Sequence, residues 1–156
     1  MEGMKHTLET IIEPALRILP PMMTSDGAKA MLLAIGMQES RLEHRVQIGG
    51  PAHGLWQFER IGVTEVLRNR ASRDFAVDLC WRRGVAATTA AVYHRLDDDD
   101  VLAAGIARLA LWRIPEALPL RMDYAKSWRQ YLKVWAPGRP RRETWDGFYK
   151  HAWDAL

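Results

Sequence analysis

Cysteine is almost absent: Cys80 stands alone among 156 residues. A single thiol forms no intrachain disulfide, so no oxidative framework supports the fold. Cys80 sits in the apolar-looking stretch FAVDLCW and reads as a small buried hydrophobe. No window approaches the roughly 18 uncharged apolar residues of a membrane-spanning helix. The opening segment, MEGMKHTLETIIEP, has an apolar run too short for a secretory leader, broken by Glu13 and Pro14. The five histidines are scattered, with no pair at a metal-binding spacing. There is no Gly-rich phosphate loop and no nucleophile elbow. Asp97–Asp100 lacks the rest of an EF-hand and reads as a solvated helix start. Neither a metal nor a cofactor is expected.

What is present is hydrophobic and helical. Apolar residues make up 48% of the chain, and seven are Trp. The length suits one domain with one core, spanning 1–156. Residues 5–19 read as a helix or helix pair, with Pro14 marking a break or a new first turn. Thr24, Ser25 and Asp26 offer N-caps for a helix over 26–40, whose AMLLAIGM is apolar on every side and therefore buried all round. Residues 41–58 form a loop or short irregular hairpin. Helices are predicted over 61–69, 72–83 and 86–95. Another follows DDDD and runs to about 113, before Pro115. A further helix covers 123–135, and the last begins near Pro140 or Arg141. Trp128, Tyr131 and Trp135 share one face of the first of these two, and Trp145, Phe148, Tyr149 and Trp153 one face of the second. That spacing predicts core packing. The fold class is an all-α globular domain of seven or eight helices.

Charge is uneven. Residues 121–156 carry eight Lys or Arg against four acids, in a chain of net +3. The bias suits a polyanionic partner, whether nucleic acid, anionic lipid or an acidic cell-wall polymer, and is too mild to choose among them; nucleic-acid binding through Arg139, Arg141 and Arg142 ranks last.

The stretch QESRLEHRVQIGGPAHGLWQFE, residues 38–59, holds the chemistry. Glu39 ends the apolar helix. Low dielectric and the negative end of the helix dipole both disfavour its ionised form. A carboxylic acid still protonated near neutral pH can protonate a leaving oxygen, as glycosidic cleavage requires. After it, Gly49, Gly50 and Gly54 permit close backbone approach. Trp56 offers a face for a sugar ring, and Gln57 an amide for sugar hydroxyls or N-acetyl groups. His53 reads as a polar loop residue. Arg41, Arg45 and Arg60 flank the stretch and are placed to meet an acidic glycan.

Glu39-Ser40 followed by Gly54-Leu55-Trp56-Gln57 resembles the lytic transglycosylases and goose-type lysozymes of the lysozyme-like superfamily. Their signature is a helix ending in Glu-Ser, a variable loop, then Gly-Leu-Met/Trp-Gln. The likeness covers roughly residues 25–60. It implies a lysozyme-like fold in which Glu39 is the single acid/base. Ser40 would orient Glu39 or touch substrate, and Gly54, Leu55, Trp56 and Gln57 would line the glycan cleft. It implies cleavage of the β-1,4 bond between N-acetylmuramic acid and N-acetylglucosamine in peptidoglycan. The attacking group would be the muramyl C6 hydroxyl in a transglycosylase and water in a lysozyme. The N-terminal helices, the ALW segment and the Trp-rich tail look like small proteins encoded by bacteriophages and prophages. The expectation is a chain made in the cytoplasm, then virion-associated or delivered to the wall. Partners would be glycan strands and phage virion proteins.

The chain departs from the family at its Ala-Tyr-Asn-Ala-Gly motif, where the nearest segment is Ala110-Leu111-Trp112-Arg113-Ile114. Trp112 stands in for the aromatic and Arg113 replaces an Asn. Tyr93 and Tyr124 are the candidates for the family's tyrosine near the acid. Glu43, Glu59 and Asp74 are candidates for a second carboxylate, with surface charge, helix start and N-cap as their ordinary roles. The alternative to an enzyme is a non-catalytic phage structural, assembly or glycan-binding protein that retains the fold.

Overall fold

The computed structural model describes residues 2–47 and 49–156. They form an all-α domain. α1 (Glu2–Thr7), a π turn (Leu8–Ile12) and α2 (Glu13–Ile18) follow one another with helical dihedrals at both junctions. Of the break or new first turn expected at Pro14, the structure has the new first turn. The π turn carries the Glu13 N–H to Leu8 O, and Pro14 enters at the first turn of α2, where its missing N–H costs little. A short 3-10 turn, Pro21–Met23, leads to α3 (Asp26–Ser40).

α3 is the axis of the molecule. The Ser25 side chain caps it by accepting from Ala28 N at 3.0 Å. Ala28 and every residue from Ala30 to Gly36 are buried. It is enclosed chiefly by α9 (Arg142–Asp154), with α7 (Asp100–Trp112) and the π turn on other sides. α7 is nearly as apolar, and Asp99 caps it by accepting from Leu102 N at 2.9 Å. Between these lie α4 (Arg60–Arg68), α5 (Arg73–Arg82) and α6 (Thr89–Arg95), and α8 (Tyr124–Trp135) precedes α9. α6 starts at 89 rather than 86 because Thr88 caps it, accepting from Ala91 N. No helix among the described residues is long and apolar enough to cross a membrane. Cys80 is buried in α5.

α3 ends on two consecutive left-handed residues, Arg41 (φ 59°) and Leu42 (φ 57°). Neither is glycine, so this turn stores strain of about 1–2 kcal/mol per residue. Leu42 folds back over Gly36, where a Cβ would meet Leu42 Cδ2 at 2.3 Å. The loop that follows is the irregular hairpin: single antiparallel bridges join Val46 to His53 and His53 to Phe58.

Candidate active site

Glu39 occupies the last turn of α3, two residues before the strained turn. Burial pushes its carboxyl up from 4.5 to about 7, and a hydrogen bond from Tyr131 opposes that rise in part. The Tyr131 hydroxyl donates to Glu39 Oε2 at 3.0 Å. Burial, then the adjacent carboxyl, raise the phenol's own pKa, so Tyr131 stays a donor. Its ring stacks on Trp145 at 4.8 Å and 14°, which holds the hydroxyl in place.

Glu39 opens into a cleft of about 270 Å³. Gln47, Pro51, Ala52, Gln57 and Glu59 supply one side, and Trp135, Ala136, Pro137 and Gly138 the other. The two sides belong to the 41–58 loop with the residue that starts α4, and to the end of α8.

Ser40 explains how Glu39 and Gln57 meet. Its hydroxyl is buried and donates to Leu55 O at 2.6 Å. It also accepts from Leu42 N at 3.1 Å. One side chain thus ties the end of α3 to the loop and steadies the left-handed turn. Ser40 is not among the residues that line the cleft.

Trp56 corrects the sequence expectation. Its ring is 0% exposed, and its indole N–H donates to Leu32 O at 2.9 Å. Gly36 lies beside it, where an added Cβ would be in ordinary contact with Trp56 Nε1 at 3.4 Å. Leu55 is also buried. Neither lines a glycan cleft; both anchor the loop in the core. Gly54 is buried too, and its left-handed backbone (φ 79°) lies so close to Leu96 that a Cβ would approach Leu96 O at 3.2 Å. Gln57, itself left-handed (φ 52°), is the motif residue that reaches the cleft. Its amide nitrogen donates to Gly54 O at 2.9 Å.

The flat face comes from Trp135, which the sequence reading assigned to the core. Half-buried, it donates its indole N–H to Trp56 O at 2.8 Å and packs on Phe58. Tyr131 takes the place beside the acid that Tyr93 and Tyr124 were expected to fill. Tyr93 donates instead to Pro51 O, and Tyr124 packs edge-on to Tyr149. Trp112 is also displaced: it borders a different cavity, with Arg108 over its ring. Arg113 pairs with Glu65 at 3.3 Å.

Of the candidate second carboxylates, Glu59 borders the cleft, exposed at the N-cap of α4. Glu43 is exposed, lies beyond the end of α3 and faces His44, so it does not share a helical face with Glu39. Asp74 is exposed in the first turn of α5. His53 lies 2.5 Å from Asp97 behind the loop, whose Oδ1 accepts from Gly54 N at 3.0 Å. Arg45 pairs with Asp100 through both its nitrogens. Asp97 and Asp100 thus pin the hairpin from outside. Among the described residues, no cluster of three His, Cys, Asp or Glu is placed to hold a metal ion.

No known protein family, no curated protein and no solved structure gives a significant match to the chain.

Proposed function

We propose that the chain is a lysozyme-like glycosidase that cleaves the β-1,4 bond between N-acetylmuramic acid and N-acetylglucosamine. The observation that carries this reading is a half-buried carboxyl, pushed up by burial to about 7 and held by Tyr131 at the edge of a cleft with Gln57 and Trp135. A protonated Glu39 delivers its proton to the glycosidic oxygen as the C–O bond breaks. The resulting carboxylate accepts a proton from the attacking hydroxyl, and the Tyr131 hydrogen bond stabilises that ionised state. A sugar ring lies on Trp135, and Gln57 meets its hydroxyl or N-acetyl group. Glu59, across the cleft, is the residue to activate a water if the product is hydrolytic. Digestion of purified peptidoglycan, with mass analysis of the muropeptides, tests turnover, bond and nucleophile together. An anhydro end marks attack by the muramyl C6 hydroxyl, and a reducing end marks attack by water. Intact glycan refutes the enzyme.

One observation favours a second reading, a phage structural or glycan-binding protein without turnover. The 110–114 segment sends Trp112 to another cavity and Arg113 to Glu65, so it adds nothing to the Glu39 cleft. Sedimentation with insoluble peptidoglycan, unaltered by Glu39→Gln and accompanied by no soluble product, would establish it.

A further inference from the structure

A larger cavity than the Glu39 cleft lies elsewhere. It measures about 670 Å³, within the range of small-molecule sites. The end of α7, the 114–120 connector, the start of α3 and Trp153 of α9 enclose it. Its wall is mostly apolar, with Met22, Leu111, Ile114, Leu118 and Leu120 among the contributors. Met22 and Leu120 stand 62% and 72% exposed, an apolar rim left open among the described residues.

One charged group enters this wall. Arg108 is 4% exposed and comes from the middle of the most apolar face of α7. A guanidinium so deeply buried ordinarily has a carboxylate partner. Here its Nε donates to Met23 O at 2.8 Å, and its ring neighbour is Trp112 at 5.5 Å. No carboxylate among the described residues lies within ion-pair distance, and burial alone lowers its pKa to about 10. Glu116, which also borders the cavity, is engaged by Arg129 and Gln130. Trp153 also borders the cavity. Beyond Nε, no hydrogen bond from a described residue engages the guanidinium, and its remaining groups are all donors. An apolar cavity with a buried cation that has no carboxylate partner calls for an acceptor that carries negative charge and an apolar body.

We propose that this cavity binds a small amphipathic carboxylate, its head on Arg108 and its chain along Leu111, Ile114 and Leu118. The site is separate from the Glu39 cleft, with which it shares no lining residue. Binding is independent of any glycosidase activity.

Isothermal titration with decanoate, on the full chain, tests it. The expected result is one decanoate per chain, with decyltrimethylammonium failing to bind. Arg108→Gln is expected to weaken decanoate by about tenfold or more, the loss of a hydrogen bond to a charged group. Arg108 is buried, so that variant can fail to fold. Ala71→Trp avoids the difficulty: Ala71 is exposed at the cavity wall, and a bulky side chain there fills the space without removing a core contact. It is expected to abolish binding, while Glu39→Gln leaves it unchanged. No decanoate binding at millimolar concentration overturns the proposal, as does undiminished binding by Ala71→Trp. Equal affinity for the cationic amphiphile overturns the role of Arg108. Binding to phosphatidylglycerol vesicles but not to free decanoate would instead make the apolar rim a membrane contact and end the proposal.

Discussion

The Tyr131 hydroxyl donates to Oε2 of Glu39 across 92 residues of sequence, joining α8 to the end of α3. The bond favours the ionised carboxyl, while burial favours the neutral one, and burial prevails. Removing the bond has two separable effects. Tyr131→Phe leaves the ring stacked on Trp145 and takes away the stabilisation of the carboxylate, so Glu39 titrates at higher pH. The alkaline limb of the activity profile moves upward. The rate at the optimum falls by about tenfold to a hundredfold, as expected for losing about 1.5–3 kcal/mol of charge-assisted bonding. A variant whose rate falls with no movement of the limb would show that Tyr131 only packs.

Glu39→Gln tests the acid itself. Loss of a general acid costs about 10²- to 10⁴-fold in turnover. The same substitution should raise stability, with a sign set by linkage. Glu39 titrates near 7 when folded, against 4.5 in the unfolded chain. The folded protein therefore binds the proton more tightly. The stability that this confers is complete below about pH 4.5 and is lost as pH rises through 7. By pH 8 the ionised carboxyl costs about 2–3 kcal/mol, reduced by its partial contact with solvent. The neutral amide removes that cost. Thermal melts should find Glu39→Gln more stable than wild type at pH 8 and similar to it at pH 4. Equal melting temperatures at pH 8 would mean that the carboxyl is not desolvated.

Trp56 and Trp135 exchange the roles that spacing suggests, and that exchange is measurable. Trp56→Phe deletes the indole bond to Leu32 O in a fully buried site. It should destabilise by about 1–3 kcal/mol and leave KM for glycan unchanged. Trp135→Leu keeps apolar bulk against Phe58 but removes the flat face at the cleft. It should raise KM about fivefold to tenfold, the equivalent of about 1 kcal/mol, with a smaller loss of stability. The opposite pattern would return the stacking role to Trp56.

Much of the architecture is legible in the chain because it rests on local rules. The cap at Ser25, the apolar run over 28–36, the acids before α7 and the glycines of the loop each act within a few residues. Glu39 was readable for the same reason, since its position at the end of a buried helix sets its environment. Tyr131 and Trp135 were not readable as site residues. Their spacing on α8 states which face is buried, not that the face ends beside a carboxyl 92 residues away. Trp56 misled because an aromatic in a Gly-rich loop looks available. Its burial is secured by the bond to Leu32 O, 24 residues earlier and invisible to any local pattern. The strain at Arg41 and Leu42 carries no sequence signal either, as neither residue favours a positive φ.

The loop that carries Gln57 depends on one glycine more than the others. At Gly54 the backbone is left-handed (φ 79°), and an added Cβ would come within 3.1 Å of Leu96 Cβ and 3.2 Å of Leu96 O. The clash is with backbone, so no rotamer change relieves it. The Gly54 N–H is held by Asp97 Oδ1 and Arg45 O, and its carbonyl accepts from the Gln57 amide. Gly54→Ala should therefore cost about 1–3 kcal/mol and lower the melting temperature by about 3–10 °C. It should also raise KM, because the residue that positions Gln57 has moved. Gly138 is the control. It borders the same cleft, but its φ is not positive and nothing lies within 4 Å of its added Cβ. Gly138→Ala should leave stability within about 0.5 kcal/mol of wild type. If both alanine variants melt together, Gly54 is not under the constraint described, and the loop reaches the cleft by some other support.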